Sequence, residues 1–213
     1  MRLTRNNPSL TSMRKVNEIF YSLQGEGHHA GYPSVFIRFA GCNLDCPFCD
    51  TDHEQGIYMS DDDIIRAVNL YTASWIVLTG GEPAMHIDAD FIRMLKRATG
   101  KKVAIETNGT IEIPEEIDWV TVSPKEGISG ASEGDRTVLK GRADELKVID
   151  LGQPLEAYFD MECLKPETLM YLQPCYVEDP AQRESNRLRT LNRVLADPRW
   201  TLSVQLHRYL NIP

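Results

Sequence analysis

A chain of 213 residues, 42% hydrophobic and 25% charged, is long enough for one full core and short for two domains. A net charge of −8 with pI near 5.2 argues against a broad nucleic-acid footprint, which needs clustered Lys and Arg. No apolar run approaches a membrane span and the opening MRLTRNNPSLTS lacks a signal-peptide core, so the expected address is the cytoplasm, with no membrane and no nucleic acid as partners.

In chain order, residues 1–13 are polar and aperiodic and read as an N-terminal arm to a single domain over 14–213. Lys15–Leu23 and Ser34–Ala40 (SVFIRFA) have the β-branched and aromatic content of strands. Ser60 followed by Asp61, Asp62 and Asp63 predicts a helix start, with Ile64, Val68 and Tyr71 on its buried face. Trp75–Leu78 is a short buried strand, and 88–98 a helix facing Phe91, Leu95 and Ala98 inward. Lys102–Glu106, Trp119–Val122, Glu145–Ile149 and Leu169–Leu172 continue the strand series. Asp179-Pro180 opens a long helix expected to bury Leu188, Leu191 and Leu195, and Trp200–Leu206 is a last strand. Apolar strands separated by helices predict an α/β fold with a mostly parallel sheet, a partial barrel of the (β/α)6 type whose chemistry gathers at the C-terminal strand ends.

The motifs fall at those ends. GCNLDCPFCDTDH, directly after SVFIRFA, packs three of the five cysteines into a C-x3-C-x2-C run. In a reducing compartment such a cluster reads as metal ligands. With His53 as a fourth ligand, Cys42, Cys46 and Cys49 would make a closed zinc site. Without it they would hold a [4Fe–4S] cluster with one iron open, as a chelating ligand requires. The spacing resembles that of the radical S-adenosylmethionine (SAM) enzymes.

Leu78-Thr79-Gly80-Gly81-Glu82-Pro83 follows the strand WIVL. Two glycines admit close approach of a ligand to the backbone, and a Glu offers an acceptor to an ammonium group. In the radical SAM superfamily a GGE-type segment holds the methionine amino group of SAM, which decides between the two metals. Glu106-Thr107-Asn108-Gly109, Ser123-Pro124-Lys125 and Gln173-Pro174-Cys175-Tyr176 end three further strands at the same rim. Alone each is a turn; together they place small polar groups and one lysine around the cysteines.

With Leu23-Gln24-Gly25-Glu26-Gly27, Arg38 in FIRFAGC and Asp50-Thr51 after Cys49, the chain resembles the 7-carboxy-7-deazaguanine synthase family from about Val16 onward. The resemblance implies a radical SAM lyase that converts 6-carboxy-5,6,7,8-tetrahydropterin to 7-carboxy-7-deazaguanine with loss of ammonia, in the queuosine (tRNA modification) pathway. Its implied cofactors are a [4Fe–4S] cluster, SAM and Mg2+. Its implied partners are the pterin, an external electron donor of flavodoxin or ferredoxin type, and a second copy in a homodimer. It assigns Cys42, Cys46 and Cys49 to the cluster and Thr51 to Mg2+. Gly81, Glu82, Ser123, Pro124, Lys125, Gln173, Pro174, Cys175 and Tyr176 fall to SAM. Leu23, Gln24, Gly25, Arg38, Thr79 and Pro213 fall to the substrate, Arg38 as a planar fork for its carboxylate. No side chain is assigned as a catalytic acid or base, and no histidine is given a role. The rival readings are an activase that installs a glycyl radical on a partner enzyme with the same cofactors, and a zinc-stabilised binding module.

Overall fold

The computed structural model describes residues 12–49, 54–125 and 136–213. One nine-stranded sheet organises them, in the order β3-β1-β2-β4-β5-β6-β7-β8-β9. Seven strands run parallel: β2 (Pro33–Phe39), β4 (Trp75–Gly80), β5 (Lys102–Thr107), β6 (Trp119–Val122), β7 (Ala143–Asp150), β8 (Leu164–Pro174) and β9 (Thr201–Leu202). The N-terminal edge is antiparallel, with β1 (Met13–Leu23) against β2 and the short β3 (Ile57–Ser60) against β1. The α/β class with a mostly parallel, open sheet is the one expected.

Strand alternation explains how one sheet builds both a core and a site. Val35, Ile37 and Phe39, then Ile76 and Leu78, then Val103 and Ile105 all lie on one face and are fully buried. Three helices cover this face or flank it: α1 (Asp61–Val68), α2 (Ala89–Thr99) and α3 (Pro180–Ala196). The residues between point the other way: Phe36 then Arg38, Val77 then Thr79, Ala104 then Glu106, Glu145 then Lys147. On that face the apolar residue of each of β2, β4 and β5 comes first, and a polar one follows at the C-terminal end. Full burial of one large side chain is worth about 1.5–3 kcal/mol, so register is set by the core face and the polar ends follow.

The caps are those the sequence specifies. The Ser60 side chain accepts from Asp63 N ahead of α1, Asp88 from Phe91 N ahead of α2, and Asp179 from Gln182 N ahead of α3. Arg14, buried, binds Asp61 at 2.6 Å and Asp88 at 3.0 Å, tying β1 to the starts of both α1 and α2.

Several expectations fail for physical reasons. Helices do not separate every pair of strands: a loop joins β5 to β6, and a 3-10 segment at Glu156–Asp160 lies between β7 and β8. α3 does not bury its leucines. Leu188 is 44% and Leu195 75% exposed and Leu191 only half-buried, while Asn186 and Thr190 are buried. The cause is Asp150, a fully buried carboxylate at the end of β7, which needs the Thr190 hydroxyl (2.8 Å) and the Arg193 guanidinium (2.6 Å). On α2, Ile92 is buried and Ala98 exposed. α1 ends at Val68, so Tyr71 packs from the turn beyond it. Trp200–Leu206 is not one strand. Pairing stops at Leu202, where the partner strand β8 nears its end at Pro174, and the chain continues into α4 (Leu206–Leu210). Strand β3 is unexpected because its four residues lack alternation. The N-terminal arm, apart from its last two residues, falls outside the described residues, as do Asp50, Thr51 and His53.

Candidate cofactor and substrate site

The cysteine loop leaves the end of β2 through Gly41, whose φ of 98° a side chain would resist. Cys49 N donates to Cys46 O (3.0 Å) and Leu44 N approaches Cys42 Sγ (3.5 Å), so the loop curls over its own thiols. Burial pushes the pKa of the Cys42 thiol up. The GGEP turn is pressed onto this loop. Gly81 N donates to Phe39 O (3.3 Å) and Glu82 N to Gly41 O (3.0 Å). Gly80 has φ 128°, and a Cβ there would stand 2.1 Å from Phe39 O.

Glu82, expected to meet an ammonium group, turns its carboxylate into the protein. It is fully buried. Oε1 accepts from Ala84 N (2.9 Å) and the Thr107 hydroxyl (2.7 Å), and Oε2 from Asn108 N (2.7 Å). The side chain thus stitches the end of β4 to the end of β5. Burial raises its pKa, and these three donors oppose the rise.

Two cavities open at the strand ends. The smaller, about 190 Å3, is lined by Cys42, Cys46 and Cys49 with Gly81, Ser123, Lys125 and the run Gln173–Tyr176. Of the residues expected around SAM, Pro124 and Glu82 alone do not line it. Lys125 reaches the Ser123 hydroxyl and carbonyl, both at 2.8 Å, and burial lowers its pKa. The larger cavity, about 600 Å3, is lined by all six residues expected at the substrate: Leu23, Gln24, Gly25, Arg38, Thr79 and Pro213. Arg38 Nε donates to Glu18 (2.8 Å), which leaves the terminal nitrogens of its fork for an anion. Ser22 Oγ donates to Pro213 O (2.8 Å), and Leu206 N to Gly25 O (2.8 Å), so the last turn of the chain packs on the QGEG loop.

Glu26, Thr79, Glu106 and Gln205 line both cavities and form the partition between them. Lys147 anchors that partition, 2.6 Å from Glu26 and 2.7 Å from Glu106. Lys147 and Gln205 were not singled out from the sequence, and Glu26 and Glu106, though inside the LQGEG and ETNG motifs, received no role, nor did His207. The available signal was the polar half of the alternation in KVAIE and ELKVI, which reads as strand and conceals which face is wet.

The donor set fits an iron–sulfur cluster: the thiols of Cys42, Cys46 and Cys49 edge one cavity, and such a cluster is held by cysteine thiolates. The remaining wall mixes the Gly80-Gly81 backbone and small polar groups with Leu44, Phe48, Ile149 and Tyr176, and with the charged Glu26, Glu106, Lys125 and Lys147.

A profile of the radical SAM superfamily matches residues 36–123. The chain is 48% identical over 200 residues to a 7-carboxy-7-deazaguanine synthase from Bacteroides thetaiotaomicron, covering 94% of this chain and 99% of that one. It is 39% identical to the protein of that name from Nitratidesulfovibrio vulgaris, over 93% and 99% of the two chains. Among solved structures, QueE from Escherichia coli superposes with a TM-score of 0.73 at 28% identity, over 92% of this chain and 95% of the other.

Proposed function

The chain belongs to the 7-carboxy-7-deazaguanine synthase family of radical SAM enzymes, and we propose that it converts 6-carboxy-5,6,7,8-tetrahydropterin to 7-carboxy-7-deazaguanine with loss of ammonia. The observation that carries this reading is the pair of adjoining cavities, one edged by three thiols and the other by an arginine and an amide-rich loop.

A [4Fe–4S] cluster and SAM, when bound, supply one-electron chemistry able to open an unreactive C–H bond. The rest is the work of the chain. Cys42, Cys46 and Cys49 hold the cluster. Gly81 lets SAM approach the backbone, and Ser123, Lys125, Gln173, Cys175 and Tyr176 surround it. Glu82 and Pro124 complete the SAM side, Glu82 also bracing the turn that carries Gly81. In the larger cavity Arg38 takes the pterin carboxylate as a planar fork. Leu23, Gln24, Gly25 and Pro213 meet the heterocycle through amide and carbonyl groups, and Thr79 on the partition touches the substrate where it faces SAM. Thr51, outside the described residues, would give its hydroxyl to Mg2+, whose other ligands are substrate oxygens and water.

No helix of the described residues is long and apolar enough to cross a membrane. An external flavodoxin- or ferredoxin-like electron donor, a homodimer and a cytoplasmic address complete the proposal. The near full-length similarity to synthases favours it over a glycyl-radical activase or a zinc module. The test is paired: the reconstituted enzyme is offered the carboxylated pterin and its decarboxylated analogue. Turnover of the first alone supports the reading, and equal indifference to both defeats it.

A further inference from the structure

Lys147 lies in β7 on the face that lines the cavities, and is 5% exposed. Its ammonium joins three elements: its own strand, Glu26 from the loop after β1, and Glu106 from the end of β5. Each carboxylate is also gripped by amides. Glu106 Oε1 accepts from Gln24 Nε2 (2.9 Å), and Glu26 Oε1 from Gln173 (3.1 Å) and Gln205 (3.0 Å). Gln173 is held in turn by the Ser203 hydroxyl at 2.7 Å. The amides come from the walls of both cavities, and both carboxylates line both.

A buried ion pair is weak ground for stability, because well-packed apolar groups often serve as well or better. Here one cation faces two carboxylates, so the partition keeps excess negative charge and unused lone pairs beside the larger cavity. Such a wall suits a ligand edge rich in N–H donors, and only if both acids are ionised and still. Burial works against ionisation of Glu26, yet the adjacent ammonium holds it at about 2. Burial raises Glu106, with Lys147 opposing.

We propose that Lys147 is a positioning residue for the substrate: it keeps Glu26 and Glu106 as an ionised, fixed pair of acceptors for the N–H edge of the heterocycle. This rests on the reading that the larger cavity takes a pterin. The other charged groups facing the trio are Glu145, Lys125 and His207. Without the ammonium, the two acids share a proton, one acceptor becomes a donor, and the N–H edge meets a mismatch.

The test is Lys147→Met in the anaerobically reconstituted holoenzyme, with dissociation constants for the pterin and for SAM measured by calorimetry from pH 6 to 9. The expected result is a pterin affinity lowered on the order of 10- to 100-fold, recovering as pH rises, with a smaller loss of SAM affinity. The wild type shows a smaller pH dependence over the same range. Unchanged pterin affinity in the variant, or a matched loss of SAM affinity, overturns the proposal. If the wild type itself binds no pterin, the functional reading falls and takes the proposal with it. Should Lys147→Met fail to fold, Glu106→Gln carries the test, since it keeps side-chain volume and the Lys147–Glu26 pair. Pterin binding weakened more than SAM binding supports the proposal, and unchanged pterin binding or an equal loss of both overturns it.

Discussion

Gly81 lies so close to the carbonyl oxygen of Gly41 that a Cβ on Gly81 would stand 2.1 Å from it, and 2.9 Å from Cys42 Cβ. The two glycines are forty residues apart in sequence and belong to the two motifs that define the site. The cysteine loop and the GGEP turn are therefore one unit.

Gly81→Ala must push the cysteine loop off its seat. The neighbour is backbone, which cannot swing aside as a long side chain would. The variant is expected to fold and to take up less than roughly half the wild-type iron after anaerobic reconstitution, since ligand placement is lost. Wild-type iron content would show that the loop has slack.

Glu82→Ala leaves two backbone donors, Ala84 N and Asn108 N, and the Thr107 hydroxyl without their buried acceptor. Each such orphan costs about 1–3 kcal/mol. A destabilisation of about 3 kcal/mol or more in urea unfolding is expected, apart from any effect on SAM. A stable variant that merely binds SAM less well would return Glu82 to the role of direct ligand.

Glu145 sits beneath the partition and accepts from His28 N (3.0 Å). Burial chiefly, helped by Glu106 and opposed by Lys147, raises its pKa from 4.5 to about 7. An acid raised in the folded state binds its proton more tightly there than when unfolded. Its contribution is therefore fully present below about pH 4.5 and is lost as pH climbs through about 7. Glu145→Gln should remove a slope totalling on the order of 2–3 kcal/mol across that window and leave the protein more stable at pH 8. Parallel pH–stability curves for the two proteins would refute the assignment.

Arg38→Met removes the fork and leaves Glu18 facing the substrate carboxylate. KM for the pterin should rise on the order of 10- to 100-fold with a smaller change in kcat, because the carboxylate is held equally before and during reaction. An unaltered KM would make the Glu18 ion pair the whole purpose of Arg38.

The parts legible in the sequence are those fixed by short-range chemistry. Ser60, Asp88 and Asp179 cap helices as their residue types require, and WIVL and KVAI form buried strands because nothing else can be done with such runs. The cysteines and Gly81 line one cavity and the six residues expected at the substrate line the other. What escaped depends on which of two faces a strand or helix turns inward. Leu188 and Leu195 read as core only until Asp150 is known to be buried and in need of Thr190 and Arg193. Lys147 sits inside ELKVI, and no local pattern reveals that Glu26, over a hundred residues earlier, reaches it. The hydrogen bonds that bury the Glu82 carboxylate were also illegible, since a turn sequence does not say which way its side chain leaves.

The most direct test is one anaerobic reaction. The reconstituted enzyme, SAM, a reductant and 6-carboxy-5,6,7,8-tetrahydropterin are combined, and the products are followed by mass. The account predicts 7-carboxy-7-deazaguanine with release of ammonia. SAM cleavage alone, with the pterin recovered intact, would contradict it.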